Sequence, residues 1–106
     1  MTARERLRNR RRSETFAFEL HGLQYVASFS RFFDGRVAEV FLQDHKPGSQ
    51  SDSNARDAAV AASLALQFGC PLDVLRHALL RDVQGRASTP LGAALDLIAA
   101  AEEQGR

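Results

Sequence analysis

The hydrophobic pattern of the chain changes its period once, between residues 43 and 50, and no other feature constrains the fold as strongly. Before this point apolar and polar residues alternate, which is the pattern of half-buried β-strands. After it apolar residues recur at every third or fourth position, as they do on one face of a helix. Strands that all precede the helices are typical of an α+β domain.

Three alternating segments predict three β-strands, at residues 14–21, 23–30 and 36–43. The dipeptide Asp34-Gly35 predicts a two-residue type I′ turn before the third strand, because such turns need positive φ at both residues. Short links between the strands indicate an antiparallel meander. The residues that share one face of each strand are Phe16, Phe18 and Leu20, then Leu23, Tyr25, Ala27 and Phe29, then Ala38, Val40 and Leu42.

Three helices are predicted after the change of period. The first runs from about residue 53 to residue 68, the second covers residues 71–80, and the third begins at Ser88-Thr89-Pro90, a cap followed by a first-turn proline. In the first helix one apolar stripe is predicted to pack on the sheet. The residues of that stripe are Val60, Leu64 and Phe68, with Ala61 and Ala65 beside them. We therefore expect a three-stranded antiparallel β-meander followed by three helices packed on one face of the sheet.

The charge of the chain is concentrated at its N-terminus. Residues 1–12 carry six arginines and one glutamate, whereas residues 13–106 carry eight basic and twelve acidic residues. We predict a flexible arm at 1–12 and a single domain at 13–106, since the arm has too few apolar residues to pack. The arm is interpreted as a nucleic-acid-binding segment, because its arginines can bind phosphates. The alternative is a solvated leader, since the whole chain prefers arginine, with thirteen arginines against one lysine. Its candidate phosphate ligands are Arg4, Arg6, Arg8, Arg10, Arg11 and Arg12.

The stretch HKPGSQSDSNARDAAV, residues 45–60, allows two interpretations. A helix N-terminus preceded by a lysine, a glycine and serines can bind an anion such as a nucleotide phosphate. Against this, the P-loop spacing is missing, and Asp52 places a carboxylate where a phosphate would lie. We favour a simple helix cap supplied by Ser51 or Asp52. The candidate anion-binding residues are Lys46, Gly48, Ser49, Ser51, Ser53 and Arg56.

The sequence gives little support for catalysis, metal binding or membrane association. Cys70 is the only cysteine, so we expect a buried structural thiol and a reduced, cytoplasmic setting; a nucleophilic Cys70 assisted by His77 is the alternative. The three histidines are scattered, so no metal, no cofactor and no catalytic residues are predicted. No apolar run approaches the ~20 residues that cross a membrane, so no membrane partner is expected. A homo-oligomer is left open.

The segment from Asp34 to Ile98 resembles a known family, the TSCPD domain. The matching features are a strand followed by a lysine and a glycine, a polar helix start, an alanine-rich helix closed by Gly69, and the segment PLDVLRHALL. The resemblance covers roughly residues 14–100. Domains of this family accompany adenosylcobalamin-dependent (class II) ribonucleotide reductases and also occur as short stand-alone bacterial proteins.

The chain departs from the family at the motif that gives it its name. Where the family has Thr-Ser-Cys-Pro-Asp, this chain has Ala87-Ser88-Thr89-Pro90-Leu91, so the cysteine and aspartate are replaced. Ribonucleotide reduction needs several cysteines and a radical source, and this chain has one cysteine and no cobalamin-binding signature. The resemblance therefore implies a non-catalytic accessory module linked to ribonucleoside-diphosphate reductase and deoxyribonucleotide metabolism. It would bind a reductase subunit or a nucleotide; the alternative is a nucleic-acid-binding protein that uses the arginine arm.

Overall fold

The computed structural model describes residues 3–7 and 12–104. Its elements follow the predicted order and confirm the α+β fold, with three antiparallel strands in one sheet followed by three helices. The elements are β1 (Ser13–Leu20), β2 (Leu23–Arg31), β3 (Val37–Asp44), α1 (Gln50–Gln67), α2 (Leu72–Ala78) and α3 (Pro90–Gln104).

One of the two turns of the meander differs from the prediction. The type I′ turn joins β1 to β2, where His21 and Gly22 have φ of 51° and 82°. Between β2 and β3 only Gly35 has a positive φ, so the predicted type I′ turn at Asp34-Gly35 is wrong. The loop is longer: the N–H of Gly35 donates to the Phe32 carbonyl at 3.0 Å, and the N–H of Phe32 donates to the Arg36 carbonyl at 2.8 Å. The Asp34 carboxylate accepts the backbone N–H of Arg36 at 3.1 Å within this loop.

The strand register confirms the predicted faces except at the start of β3, where the register shifts after Ser30 and Val37, rather than Ala38, joins the core cluster. Phe16 lies opposite Ala27, and Ala27 lies opposite Leu42, so the alternating apolar residues of the three strands meet on one side of the sheet. We call this side the core face, because its residues form the main buried cluster with α1 and α3. The opposite side, which includes Ala17, Ser28 and Phe41, is called the open face.

The packing face of α1 was predicted wrongly. Val60, Leu64 and Phe68 are 56%, 39% and 44% exposed. The buried stripe instead lies on the opposite side of the helix and consists of three alanines and one leucine, namely Ala55, Ala59, Ala62 and Leu66. Alanines bring the helix axis close to β3, so the short polar side chains beside this stripe can reach the backbone of the strand.

The last helix closes the core and begins as predicted. Thr89 caps α3 by accepting the N–H of Gly92 at 3.2 Å, and Pro90 is its first residue. Asp96 joins α3 to α2 and to the following loop, because it accepts hydrogen bonds from Arg76 at 3.0 Å and from Arg81 at 2.8 Å. The Arg81 side chain, followed by that of Arg76, lowers the pKa of Asp96, although burial opposes the shift.

Candidate functional site

The loop between β3 and α1 contains the residues of the predicted anion site. The helix begins at Gln50, three residues before the predicted start, and its cap is Ser49 rather than Ser51 or Asp52. The Ser49 hydroxyl accepts the N–H of Asp52 at 3.1 Å and donates to the carbonyl of Lys46 at 2.9 Å. Gly48 has a φ of 80°, which a glycine adopts without strain, and turns the chain into the helix.

Asp52 fills the centre of this loop. Its carboxylate is buried and accepts the backbone N–H groups of Asp44 at 2.9 Å and Gly48 at 3.1 Å, together with the Arg56 guanidinium at 2.9 Å. The N–H group of Asp44, and then that of Gly48, lower the pKa of Asp52 by stabilising its charged form. The end of β3, the loop and the first turn of α1 are therefore held by one carboxylate.

A second carboxylate, that of Asp44, accepts two further hydrogen bonds in the loop. Asp44 accepts the hydroxyl of Ser51 and the backbone N–H of Lys46, the latter at 3.0 Å. The Ser51 hydroxyl is the main reason that the pKa of Asp44 is lowered. The side chain of Lys46 and that of Ser53 are exposed.

Four of the six predicted anion ligands have other partners in the structure. Gly48 and Arg56 donate to Asp52, and Ser51 donates to Asp44. Ser49 is the helix cap. A phosphate at this loop would compete with the buried Asp52 charge for the same donors. The geometry favours the capping interpretation, and phosphate binding here stays a prediction.

Four outward-facing backbone groups of β3 are bonded by side chains of α1. The Ser63 hydroxyl accepts the N–H of Val40 at 2.9 Å and donates to its carbonyl at 3.0 Å. The Gln67 amide donates to the Ala38 carbonyl at 3.1 Å, and Asp52 accepts the N–H at the other end of the strand. These contacts were not predicted, although the polar stripe of Asp52, Arg56, Ser63 and Gln67 along one side of the helix was a readable signal.

Beside these contacts lies an exposed apolar surface, which we call the apolar ridge and define as Phe41, Val60 and Leu64. Phe41 is 53% exposed on the open face of the sheet. Together with Val60 it lines a shallow groove of about 320 Å³ that also includes Val26 and Arg56. Leu64 follows Val60 by one helical turn and extends the surface along α1. An exposed apolar surface next to polar residues is typical of a protein-binding site.

Cys70 lies in a second groove, of about 690 Å³, between the β2–β3 loop and the start of α2. It is half-buried, and its Sγ donates to the Pro71 carbonyl at 3.6 Å. No histidine of the described residues lines this groove, and activation of the thiol by His77 stays a prediction.

The N-terminal arginines are described in part. Arg8, Arg10 and Arg11 lie outside the described residues, and so do residues 1–2. Arg4 donates to the Gln67 side chain at 2.5 Å, and the N–H of Glu5 donates to the Gln67 carbonyl at 2.7 Å. The segment 3–7 therefore contacts the C-terminal end of α1, and nucleic-acid binding by the arm stays a prediction.

The described residues show neither a metal-binding cluster nor a membrane-spanning helix. Residues 3–7 and 12–104 hold no group of three or more His, Cys, Asp or Glu side chains arranged to bind a metal ion. Within the same residues, no helix combines the length and the apolar character that crossing a membrane requires.

Comparisons with known proteins relate the chain to one enzyme. It is 37% identical over 70 residues to the vitamin B12-dependent ribonucleotide reductase of Agrobacterium fabrum, and 36% identical over 73 residues to that of Bradyrhizobium diazoefficiens. A third such reductase, from Rhodopirellula baltica, is 35% identical over 72 residues. The matches cover 66%, 69% and 68% of this chain.

The chain corresponds to a small part of these relatives, since the matched segments make up only 6% or 7% of their length. No family model matches the chain, and no solved structure matches it significantly. About two thirds of this chain is therefore similar to one short segment of vitamin B12-dependent ribonucleotide reductases.

Proposed function

We propose that the protein is a non-catalytic accessory module of the TSCPD type that binds a polypeptide of a vitamin B12-dependent ribonucleotide reductase. The observation that carries this proposal is the 35–37% identity to a segment that forms 6–7% of such reductases. In those proteins the segment is covalently attached to a far longer polypeptide. We therefore infer that the module is suited to bind the rest of such a reductase. Its role would then be in deoxyribonucleotide metabolism.

The apolar ridge is the surface we assign to this contact. Full burial of one large apolar side chain contributes roughly 1.5–3 kcal/mol, so Phe41, Val60 and Leu64 together offer a useful binding energy. The exposure of Val60 and Leu64 follows from the packing of α1 through its alanines and Leu66, whereas Phe41 is exposed because it lies on the open face of the sheet. Arg56 lies beside the groove and can add a polar contact at its rim.

Catalysis is assigned to the partner. A redox-active cysteine pair needs two thiols, and this chain has one. The groove around Cys70 has no histidine among the described residues that line it, and the nearest acceptor of the thiol is the Pro71 carbonyl. These surroundings favour a structural thiol over an activated nucleophile.

The proposal is tested by calorimetric titration of the full chain into the vitamin B12-dependent reductase of the organism that encodes it. We expect binding, and we expect the double variant Phe41→Ser/Val60→Ser to weaken it by at least about tenfold. Val83→Ser is the matched control, because Val83 is fully exposed in the loop before α3 and lies outside the ridge.

The outcomes separate the two parts of the proposal. Absence of binding by the wild-type chain would remove the accessory role. Binding that the control weakens as much as the double variant would keep the partner and reject the ridge as its site. Circular dichroism of each variant checks that the fold is retained.

A further inference from the structure

The outer edge of β1 presents backbone groups that nothing in the described structure covers. In a type I′ hairpin the residues that flank the turn, here Leu20 and Leu23, form a hydrogen-bonded pair. Alternation along the antiparallel ladder then directs the N–H and C=O groups of Phe16 and Phe18 toward β2. The N–H and C=O groups of Thr15, Ala17 and Glu19 point away from β2, and no described residue bonds to them.

This edge lacks several of the devices that usually prevent pairing, and its two charged residues, Glu14 and Glu19, lie near the ends of the strand. β1 has eight residues, contains no proline, and keeps one register with β2 along its whole length. Its core-face residues Phe16 and Phe18 are only partly buried. Their rings are the last in a row of aromatic contacts. The ring centroid of Phe16 lies 6.2 Å from that of Phe29, and the centroid of Phe18 lies 5.5 Å from that of Tyr25. The strand therefore offers both unpaired backbone groups and unfinished apolar packing at the same edge.

We propose that β1 pairs with β1 of a second copy of this chain, antiparallel across a two-fold axis at Ala17, to form a continuous six-stranded sheet. In this register Phe16 lies opposite the partner's Phe18, which continues the aromatic row on the core face. Thr15 lies opposite the partner's Glu19, and Ala17 lies opposite its own copy on the open face.

The charges and the backbone both fit this register. No two like charges stand directly opposite each other, a condition that cross-strand pairs require. The outward-facing groups of Thr15, Ala17 and Glu19 would form about six hydrogen bonds between the two copies. The proposed register places one charged residue of each copy, Glu14, opposite an apolar residue of the partner, Leu20. A two-fold axis at Phe16 would place two there, Glu14 opposite Phe18 and Arg12 opposite Leu20, so it is disfavoured.

Sedimentation velocity and hydrogen exchange of the full chain test the pairing together. We expect a monomer–dimer equilibrium that shifts toward the dimer as the protein concentration rises. The amides of Thr15, Ala17 and Glu19 should gain protection over the same range, whereas those of Phe16 and Phe18 are protected at every concentration because they bond to β2.

Two lysine substitutions of equal charge probe the register. Ala17→Lys places two lysines directly opposite each other and should weaken the dimer by about fivefold. Thr15→Lys adds the same charge on the same face but places it opposite the partner's Glu19, so the dimer should be retained or tightened. Equal weakening by both variants would overturn the register.

A proline variant probes the backbone contact itself. Ala17→Pro removes an N–H that points away from β2, so the monomer keeps its ladder while the dimer should weaken by at least about tenfold. Circular dichroism verifies the fold. A chain that stays monomeric at all concentrations, or that dimerises with unprotected Ala17 and Glu19 amides, overturns the proposal. Protection of these amides only when the reductase is added would assign the edge to that partner instead.

Substitutions on the apolar ridge test the proposed function and the β1 dimer separately. The ridge lies beside β3, at the other edge of the sheet, so Phe41→Ser/Val60→Ser should leave the dimer unchanged. Loss of the dimer in that variant would show that the copies meet at the ridge and would contradict pairing through β1.

Discussion

The sheet has two edges, and the domain treats them differently. At β3 the helix that follows the strand in sequence lies along it, and side chains of that helix bond to the N–H groups of Val40 and Asp44 and to the carbonyls of Ala38 and Val40. At β1 the corresponding groups of Thr15, Ala17 and Glu19 have no partner among the described residues. An edge strand is a template for pairing unless it is covered, so only β3 is closed to a further strand.

The covering of β3 also explains the apolar ridge. Ser63 and Gln67 reach the strand only because an alanine stripe lets α1 approach closely. This orientation leaves Val60 and Leu64 on the outer side of the helix, beside Phe41. One packing arrangement therefore protects an edge and leaves an apolar surface exposed.

The largest effect is expected where α1 packs against β3. Leu66→Ala should cost about 2–5 kcal/mol of unfolding free energy, because Leu66 is 3% exposed and its loss leaves a cavity. Leu64→Ala, two residues away on the apolar ridge, should cost less than about 1 kcal/mol. Urea denaturation measures both. Similar costs would mean that the exposed stripe packs in solution, as the sequence pattern alone predicted.

The next effect concerns Asp52, which ties the end of β3 to α1. Its folded pKa is lowered by the N–H groups of Asp44 and Gly48, so its stabilisation is present above the unfolded pKa and is lost as pH falls through the folded pKa. Asp52→Asn should lower the urea midpoint at neutral pH, and the gap from wild type should narrow below about pH 4. A gap that is constant with pH would contradict this account.

Asp57→Asn is the control for Asp52, since Asp57 is exposed on the same helix and should leave the midpoint unchanged. A phosphate titration of the Asp52→Asn variant compares the two interpretations of the loop. Tighter phosphate binding with unchanged stability would favour an anion site over a structural carboxylate.

A smaller effect is expected for Ser63→Ala, which removes one hydroxyl from the covered edge. The N–H and C=O of Val40 would lose their side-chain partner, at a cost of about 1–2 kcal/mol. Hydrogen exchange at the Val40 amide should accelerate accordingly. Ser53→Ala, at an exposed position of α1, is the control and should change neither quantity.

The smallest effect is expected at the uncovered edge. Ala17→Ser should change the unfolding free energy by less than about 0.5 kcal/mol at a concentration where the chain is monomeric. The same substitution on β3, Ala38→Ser, buries a hydroxyl at a position that is 0% exposed and should cost about 1–3 kcal/mol. Equal costs at the two positions would mean that β1 is covered as well as β3.

Much of the fold could be predicted from local patterns. The alternation in residues 14–43 predicted three strands and the face that each buries, and Thr89-Pro90 predicted the start of α3. The turn prediction failed because a dipeptide preference competes with local side-chain bonds. At Asp34 the carboxylate bonds to Arg36, while the positive φ of His21 is stabilised by the hairpin it closes.

The candidate site was predicted less well than the fold. The loop of residues 45–56 was singled out for its glycine and serines, but the residue at its centre, Asp52, was predicted only as a possible helix cap and as an obstacle to phosphate. Its three donors come from β3, the loop and α1, and their convergence depends on how these elements pack. The apolar ridge was missed because its helical members were assigned to the core.

The sequence by itself determined the kind and order of the elements, because hydrophobic period, caps and turn residues act within a few positions of the chain. Tertiary structure decided which side of α1 is buried. Hydrophobicity favoured Val60, Leu64 and Phe68, yet the edge of β3 needs hydrogen-bonding partners that only Ser63, Gln67 and Asp52 can supply. Leaving buried backbone groups unpaired costs more than exposing part of three apolar side chains, so the helix turns its alanines inward.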